Sequence, residues 1–338
     1  MREQVLVVGA GPIGLACAIS ARRRGLDPLV IDAGAIANSI VRYPVGMVFF
    51  TTPERLEIGK YPLVCAGPKA TREEALKYYR GVARAEGLRI RSFVRLTGAE
   101  RKNGALRCRL TTRLGEEELS CERLVLATGY FDHPNPLNIP GESLPHVSHY
   151  AEEPHLSAGL SVVIVGGKNS AVEQALNCYR AGAQVTLVYR RAALKPSVKY
   201  WLKPDIENRI KAGEIAARWG ANVVGIDPEA VSVESEAGSE RIAADRVFLL
   251  TGYHPDFEFF RSMGIELDPD SCRPALNPET LESNVEGIHL AGSVTGGKQI
   301  SEIFIENGRY DGEKIFGDAE SRARAAQGLE SQVRPLGE

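Results

Sequence analysis

Residues 5–18 read VLVVGAGPIGLACA, an apolar run that enters the glycine turn Gly9-Ala10-Gly11-Pro12-Ile13-Gly14 and leaves it as an unbroken series of small and apolar residues. An apolar strand feeding a glycine turn that opens a helix is the phosphate-binding turn of a Rossmann βαβ unit. The first glycine permits the tight turn, the second lets backbone approach a pyrophosphate, and the third lets helix and strand pack closely. The helix start then offers unpaired N–H groups and a partial positive charge to the phosphates. Asp32 ends the next apolar run, LVID, where its carboxylate can accept a hydrogen bond from a ribose 2′-hydroxyl.

Residues 162–175, VVIVGGKNSAVEQA, repeat this plan with two departures. Lys168 stands where the close-approach glycine should be, and Ala171 replaces the third glycine. The lysine ammonium either adds charge beside a phosphate or points to water, and the sequence leaves both open. The following run, VTLVYRR, ends in Arg190-Arg191 at the place where the first unit has Asp32. A carboxylate there would repel a 2′-phosphate, whereas guanidinium groups pair with it bidentately. The expected first ligand is therefore FAD and the second NADPH, with hydride passing from nicotinamide C4 to flavin N5. Gly166, Lys168, Asn169, Ser170, Ala171, Arg190 and Arg191 are the expected NADPH contacts. Ala127-Thr128-Gly129 and Thr251-Gly252 end strand-like runs in a way that suits close backbone approach to the cofactors.

The chain of 338 residues, 43% hydrophobic, is long enough for two domains with buried cores. A net charge of −2 and no basic run beyond Arg22-Arg23-Arg24 argue against a nucleic-acid-binding surface. No stretch has the ~18 consecutive apolar residues of a membrane span, so the expectation is a soluble, cytoplasmic protein. The six cysteines, at 17, 65, 108, 121, 178 and 272, show neither a CxxC pair nor metal-ligand spacing, so no disulfide framework and no metal are expected.

Strand-like runs at 4–8, 28–31, 123–127, 161–165, 184–189 and 246–250 alternate with helix-like segments, as in parallel sheets with crossover helices. Thr71 and Glu74 form a capping box for a helix that ends at Gly87. Hairpins are expected at 105–112 with 117–121, and at 231–234 with 241–244; alternation puts Cys108 and Cys121 on an apolar face. Proline-rich connectors at 133–145 and 254–256 mark changes of domain. The expected division is a first FAD-domain segment over 1–132, an NADPH domain over 133–256, a second FAD-domain segment over 257–318, and a polar tail over 319–338 that frays.

The doubled unit, the two Thr-Gly signatures and the closing GIHLAGSVTGGKQIS resemble the thioredoxin reductase-like pyridine nucleotide flavoproteins. Five stretches are more narrowly similar to the bacillithiol disulfide reductase family: NSIVRYPVGMVFFTTPERLEIG, ATGYFDHPNPLNIPGE, HVSHY, GGKNSAVEQALNCYRAGAQVTLVYRR and EIFIENGRYDGE. The resemblance implies an α/β fold of two Rossmann-like dinucleotide-binding domains, with the NADPH domain inserted in the FAD domain, and it implies a homodimer. It also implies FAD contacts at Gly9, Gly11, Pro12, Gly14, Asp32, Asn38, Ser39, Thr51, Gly129, Gly292, Ser293, Gln299 and Ile300.

Three departures bear on chemistry. Ser293 stands where related reductases have an aspartate that binds the ribityl chain, and Tyr150 and Glu153 stand where thioredoxin reductases have a CxxC dithiol. Ile13 replaces a cysteine that the bacillithiol reductase-like family carries inside the first glycine turn. The candidates left for catalysis are Cys65 in an accessible loop, with His149 and Glu302 as proton donors; Cys17, Cys178 and Cys272 have poorer routes to a flavin. The leading expectation is an NADPH-dependent FAD oxidoreductase that reduces a low-molecular-weight disulfide, oxidised bacillithiol. The alternatives are a flavoprotein with a quinone or iron–sulfur protein as acceptor, a flavin monooxygenase, and a redox-sensing protein that holds both dinucleotides without turnover.

Overall fold

The computed structural model describes residues 2–300 and 302–328. The chain packs as two compact units, one made of the residues up to His133 and from Tyr253 onward, the other of Pro134–Gly252.

The first unit is built on strands β1 (Arg2–Val8), β2 (Pro28–Asp32), β3 (Arg89–Ser92), β4 (Arg95–Lys102), β5 (Ala105–Thr112) and β6 (Gly115–Leu126). They lie in the order β3-β2-β1-β6-β5-β4, and a late strand, Ile288–Leu290, adds parallel to β6. β1 pairs in parallel with both β2 and β6, and β3 continues the parallel run beside β2. Side chains of β1 alternate between two cores: Val5 and Val7 face the helix Pro12–Arg22, while Leu6 and Val8 face the side that holds Phe260 and Leu290. Burial on both faces explains why this strand reads as a continuous apolar run.

The second unit repeats the layout. Its strands are β7 (Val147–Ser148), β8 (Ser161–Val165), β9 (Gln184–Tyr189), β10 (Ala216–Trp219), β11 (Asn222–Ile226), β12 (Ala230–Ser235), β13 (Gly238–Ala243) and β14 (Arg246–Leu249). A parallel sheet runs β10-β9-β8-β14-β7, and an antiparallel meander runs β11-β12-β13. Val162 and Ile164 face the core under the helix Asn169–Arg180, and Val163 and Val165 face the core shared with the meander. Leu137, Ile139 and Leu144 of the first proline-rich connector pack on that second core.

The two-Rossmann architecture expected from the glycine turns is the one observed. Two local expectations need correction. The strand expected at 123–127 and the hairpin arm expected at 117–121 are one strand of 12 residues, β6, antiparallel to β5 in its first half and parallel to β1 in its second. No turn-forming residue separates Cys121 from Arg123, so nothing stops the strand. The segment from Ala319, expected to fray, forms the helix Ala319–Ala326. Asp318 caps it by accepting from Ser321 N at 2.8 Å, and Arg24 reaches Ser321 Oγ at 3.1 Å, so the helix is docked on the first unit with Ser321 and Ala325 buried. The rest of that tail, 329–338, lies outside the described residues.

The capping box at Thr71 is present: Thr71 Oγ1 accepts from Glu74 N at 3.2 Å, and Glu74 Oε2 accepts from Thr71 N at 2.8 Å. Cys108 and Cys121 are buried with their sulfurs 3.8 Å apart, and all six cysteines are free thiols. Among the described residues no helix is long and apolar enough to cross a membrane, and no group of three or more His, Cys, Asp or Glu could hold a metal ion.

Candidate dinucleotide sites

At the first turn, Gly9 N donates to Ile31 O at 2.8 Å, which draws the turn across the ends of β1 and β2. Gly9 has φ +108°, and a Cβ there would lie 2.3 Å from Ala127 O; at Gly14 it would lie 1.9 Å from Gly9 O. Both glycines are therefore demanded by packing. At Gly11 a Cβ would meet nothing within 4 Å, and the helix that Gly11 caps receives no side-chain cap. The turn thus leaves open space against unpaired helix N–H groups, the geometry of an anion site.

Asp32 sits beside this opening. Its Oδ2 accepts from Ala10 N and its Oδ1 from Gly34 N, each at 2.7 Å, and its remaining lone pairs can take ribose hydroxyls. Burial raises its pKa against the pull of those two backbone N–H groups. Asn38 lies over Gly34, and its Oδ1 accepts from Ala35 N at 3.3 Å; Ser39 shares the short helix Asn38–Val41, and Thr51 is buried. Gly129 has φ +70° with open space around it, and beside it Thr128 Oγ1 is buried with no hydrogen-bond partner among the described residues. Such an orphaned hydroxyl beside an open glycine fits a polar ligand at the end of β6. Gly292 N donates to the buried carboxylate of Asp311 at 2.8 Å, and Ser293 follows in the same short 3₁₀ turn. Gln299 and Ile300 come after that turn, with Gln299 N bonded to Gly296 O at 3.0 Å. These residues fit a dinucleotide: Gly11 and Pro12 would face its phosphates and Asp32 a ribose.

Ile13 occupies the slot left by two glycines. Its Cδ1 would be 2.6 Å from a Cβ at Gly292 and 2.6 Å from one at Gly308. The isoleucine is thus packed into the first unit against two glycines from its C-terminal segment.

At the second turn, Gly166 has φ +146° and abuts Leu250 O, and a Cβ at Gly167 would strike the Tyr189 ring at 2.3 Å. Lys168 is the N-cap of the helix Asn169–Arg180, in extended backbone with an exposed side chain. Ser170 is exposed at the helix start and Ala171 is buried where the third glycine would be. Asn169 Oδ1 accepts from Lys199 N at 2.9 Å, and Gly167 O accepts from Lys195 N at 3.3 Å, so the segment after β9 is strapped to the turn. This strap brings Lys195 close to Lys168, Arg190 and Arg191. Burial first, and then Lys195, Arg191 and Arg190, lower the Lys168 pKa. Among the described residues none of these four cations forms an ion pair. A cluster of like charges without counter-ions is costly unless an anion visits it, and a 2′-phosphorylated dinucleotide fits it. Lys195 joins this cluster only in the fold; in the sequence it is a basic residue a few positions beyond the arginine pair.

Each of the three catalytic candidates has its own local partners. Cys65 Sγ is 3.2 Å from Gly67 O, and desolvation, Glu74 and Glu54 raise its pKa. His149 Nε2 is 3.5 Å from Glu142 Oε1 in the second unit, and that carboxylate also accepts from Leu137 N and Asn138 N, each at 2.7 Å. Glu302 is ion-paired with Arg273 at the surface of the first unit. The other five cysteines are buried; the Cys17 thiol is pushed up by burial, Asp311 and Glu313.

The family model for pyridine nucleotide-disulphide oxidoreductases matches residues 6–292, which takes in both glycine turns. The chain belongs to that family. This oxidoreductase is 39% identical to bacilliredoxin reductase Bdr of Bacillus subtilis (strain 168), over 95% of this chain and 99% of the relative. It superposes on the bacillithiol disulfide reductase Bdr from Bacillus cereus with a TM-score of 0.91 at 38% identity, covering 97% of this chain and 100% of that one. Thioredoxin reductase of T. acidophilum shares the fold at a TM-score of 0.72 and 21% identity, over 96% and 99% of the two chains. The family uses a flavin and a pyridine nucleotide, and this chain has two glycine turns.

Proposed function

We propose that this oxidoreductase holds FAD at the first turn, accepts NADPH at the second, and reduces a low-molecular-weight disulfide of the bacillithiol class. The observation that carries the reading is the contrast between the turns: a carboxylate beside one, and four cations without counter-ions beside the other. Asp32 holds a ribose with two hydroxyls and repels a 2′-phosphate. Lys168, Arg190, Arg191 and Lys195 do the reverse. The bound cofactors supply hydride transfer from nicotinamide to flavin and two-electron reduction of the acceptor. The overall change balances as NADPH + H⁺ + RSSR → NADP⁺ + 2 RSH.

This chain's cysteines support delivery to the disulfide without a relay through a protein thiol pair. Ile13 cannot form a thiolate, five cysteines are buried, and desolvation with Glu74 and Glu54 raises the Cys65 thiol pKa. His149 and Glu302 remain the candidates for the proton-handling group, and Cys65 the candidate redox thiol. The same observation favours a second reading in which the acceptor is a quinone or an iron–sulfur protein. Anaerobic mixing with NADPH should bleach the flavin, and steady-state NADPH oxidation should rise above the oxygen background when oxidised bacillithiol is added. Bleaching without that rise would move the assignment to the second reading, and an unbleached flavin would remove both. We propose further that the protein is a cytoplasmic homodimer, for which sedimentation of the holoprotein is the direct test.

A further inference from the structure

Seven non-glycine residues among those described take left-handed backbone, and Phe93 is the one aromatic among them, with φ +60°. A bulky side chain avoids that region unless the surroundings hold it there. Two bonds do so here: Phe93 N donates to Gly34 O at 3.0 Å and Val94 N to Asp32 O at 2.8 Å. Phe93 is nonetheless 53% exposed, with the Arg113 guanidinium 5.9 Å from its ring centroid. The fold therefore keeps an exposed aromatic ring in a conformation that glycine would adopt without strain.

Its position gives the ring a use. Sheet order places β1, β2 and β3 side by side, and Asp32 at the end of β2 is in register with Ser92 at the end of β3. A dinucleotide with its phosphates at the end of β1 and a ribose on Asp32 has run across one strand spacing. Its base continues in the same direction, to the end of β3, where Phe93 leaves the sheet. From the position of a strained, exposed Phe93 just past β3, its backbone bonded to Gly34 two residues beyond Asp32, we infer that Phe93 is the stacking wall for the adenine ring of the dinucleotide held at the first turn. The inference rests on the FAD reading of that turn. Arg113, close to the ring, adds a guanidinium plane at the rim of the same wall.

The test is FAD binding by the apoprotein, followed by flavin fluorescence, with ADP as a competitor that carries the adenine, ribose and diphosphate without the flavin. Phe93→Gly should weaken FAD and ADP together, by about 10-fold as for loss of a base–aromatic stack, while the apoprotein melts no earlier than the wild type. Phe93→Tyr should keep wild-type affinity. Unchanged FAD affinity in Phe93→Gly overturns the inference, and so does an earlier melt of that apoprotein, since the ring would then serve the fold. A wild-type apoprotein that fails to take up FAD rejects the parent reading instead, so the two failures are distinguishable.

Discussion

Arg190 and Arg191 directly follow β9 without a carboxylate to neutralise them, so the proposed preference for NADPH can be tested at single residues. A charge-assisted hydrogen bond contributes about 1.5–3 kcal/mol, so Arg190→Ala or Arg191→Ala should weaken NADPH binding by roughly 10- to 100-fold. NADH binding should barely change, because it lacks the phosphate; isothermal titration with both nucleotides measures the difference. Lys168 gives a pH prediction. Its folded pKa lies below the usual 10.5, so the unfolded chain binds more protons and stability rises with pH through the interval between the two values. A phosphate arriving among the cations favours the ammonium and moves that pKa back up. NADPH binding in this alkaline interval should therefore take up protons and weaken as pH rises, which titration in buffers of different ionisation enthalpy detects; proton release would contradict it. At this scale the placement of Asp32 at the end of β2 and of the arginine pair just after β9 was legible, because each comes one helix and one strand after its glycine turn. Lys195 was not, because only the folded strap, tied down by Gly167 O and Asn169 Oδ1, brings it to the turn.

The glycine elements were readable from their spacing, but what presses on each glycine was not. Ile13 sits against Gly292 and Gly308, which belong to distant parts of the chain. Gly308→Ala should cost about 1–3 kcal/mol as overpacking against Ile13. The added Ile13→Ala change should recover part of that loss, a coupling that melting of the four variants of a double-mutant cycle would measure. The helix Arg72–Ala85 provides an independent check: Thr71→Ala removes the cap and should destabilise the first unit by about 0.5–2 kcal/mol, with the second unit's melting unchanged. Apolar alternation located both hairpins, yet β6 was read as two strands because its pairing changes from antiparallel to parallel without any break in composition. The C-terminal helix was missed for the opposite reason. Its anchor is a hydrogen bond to Arg24, almost 300 residues earlier, and only two of its side chains are buried.

Across the whole molecule, the second unit is one continuous segment with two cores of its own, whereas the first is split along the chain. A fragment spanning Pro134–Gly252 should fold cooperatively and bind NADPH but take up no flavin. Circular dichroism and titration with each cofactor would show this, and a fragment that fails to fold would mean that the second unit needs the first. The identity of the acceptor was the least legible property, since it depends on which groups meet a substrate rather than on any repeating pattern. The two passages of chain around that segment run together: His254 N bonds His133 O at 2.9 Å, and Asn135 N bonds Gly252 O at 2.9 Å. Entry and exit thus run side by side, joined by backbone hydrogen bonds, so a short graft joining His133 to Tyr253 could close the first unit into an uninterrupted polypeptide. Such a stitched protein would make the flavin half separately available, and it retraces in reverse how one nucleotide module can be spliced into another without disturbing the host.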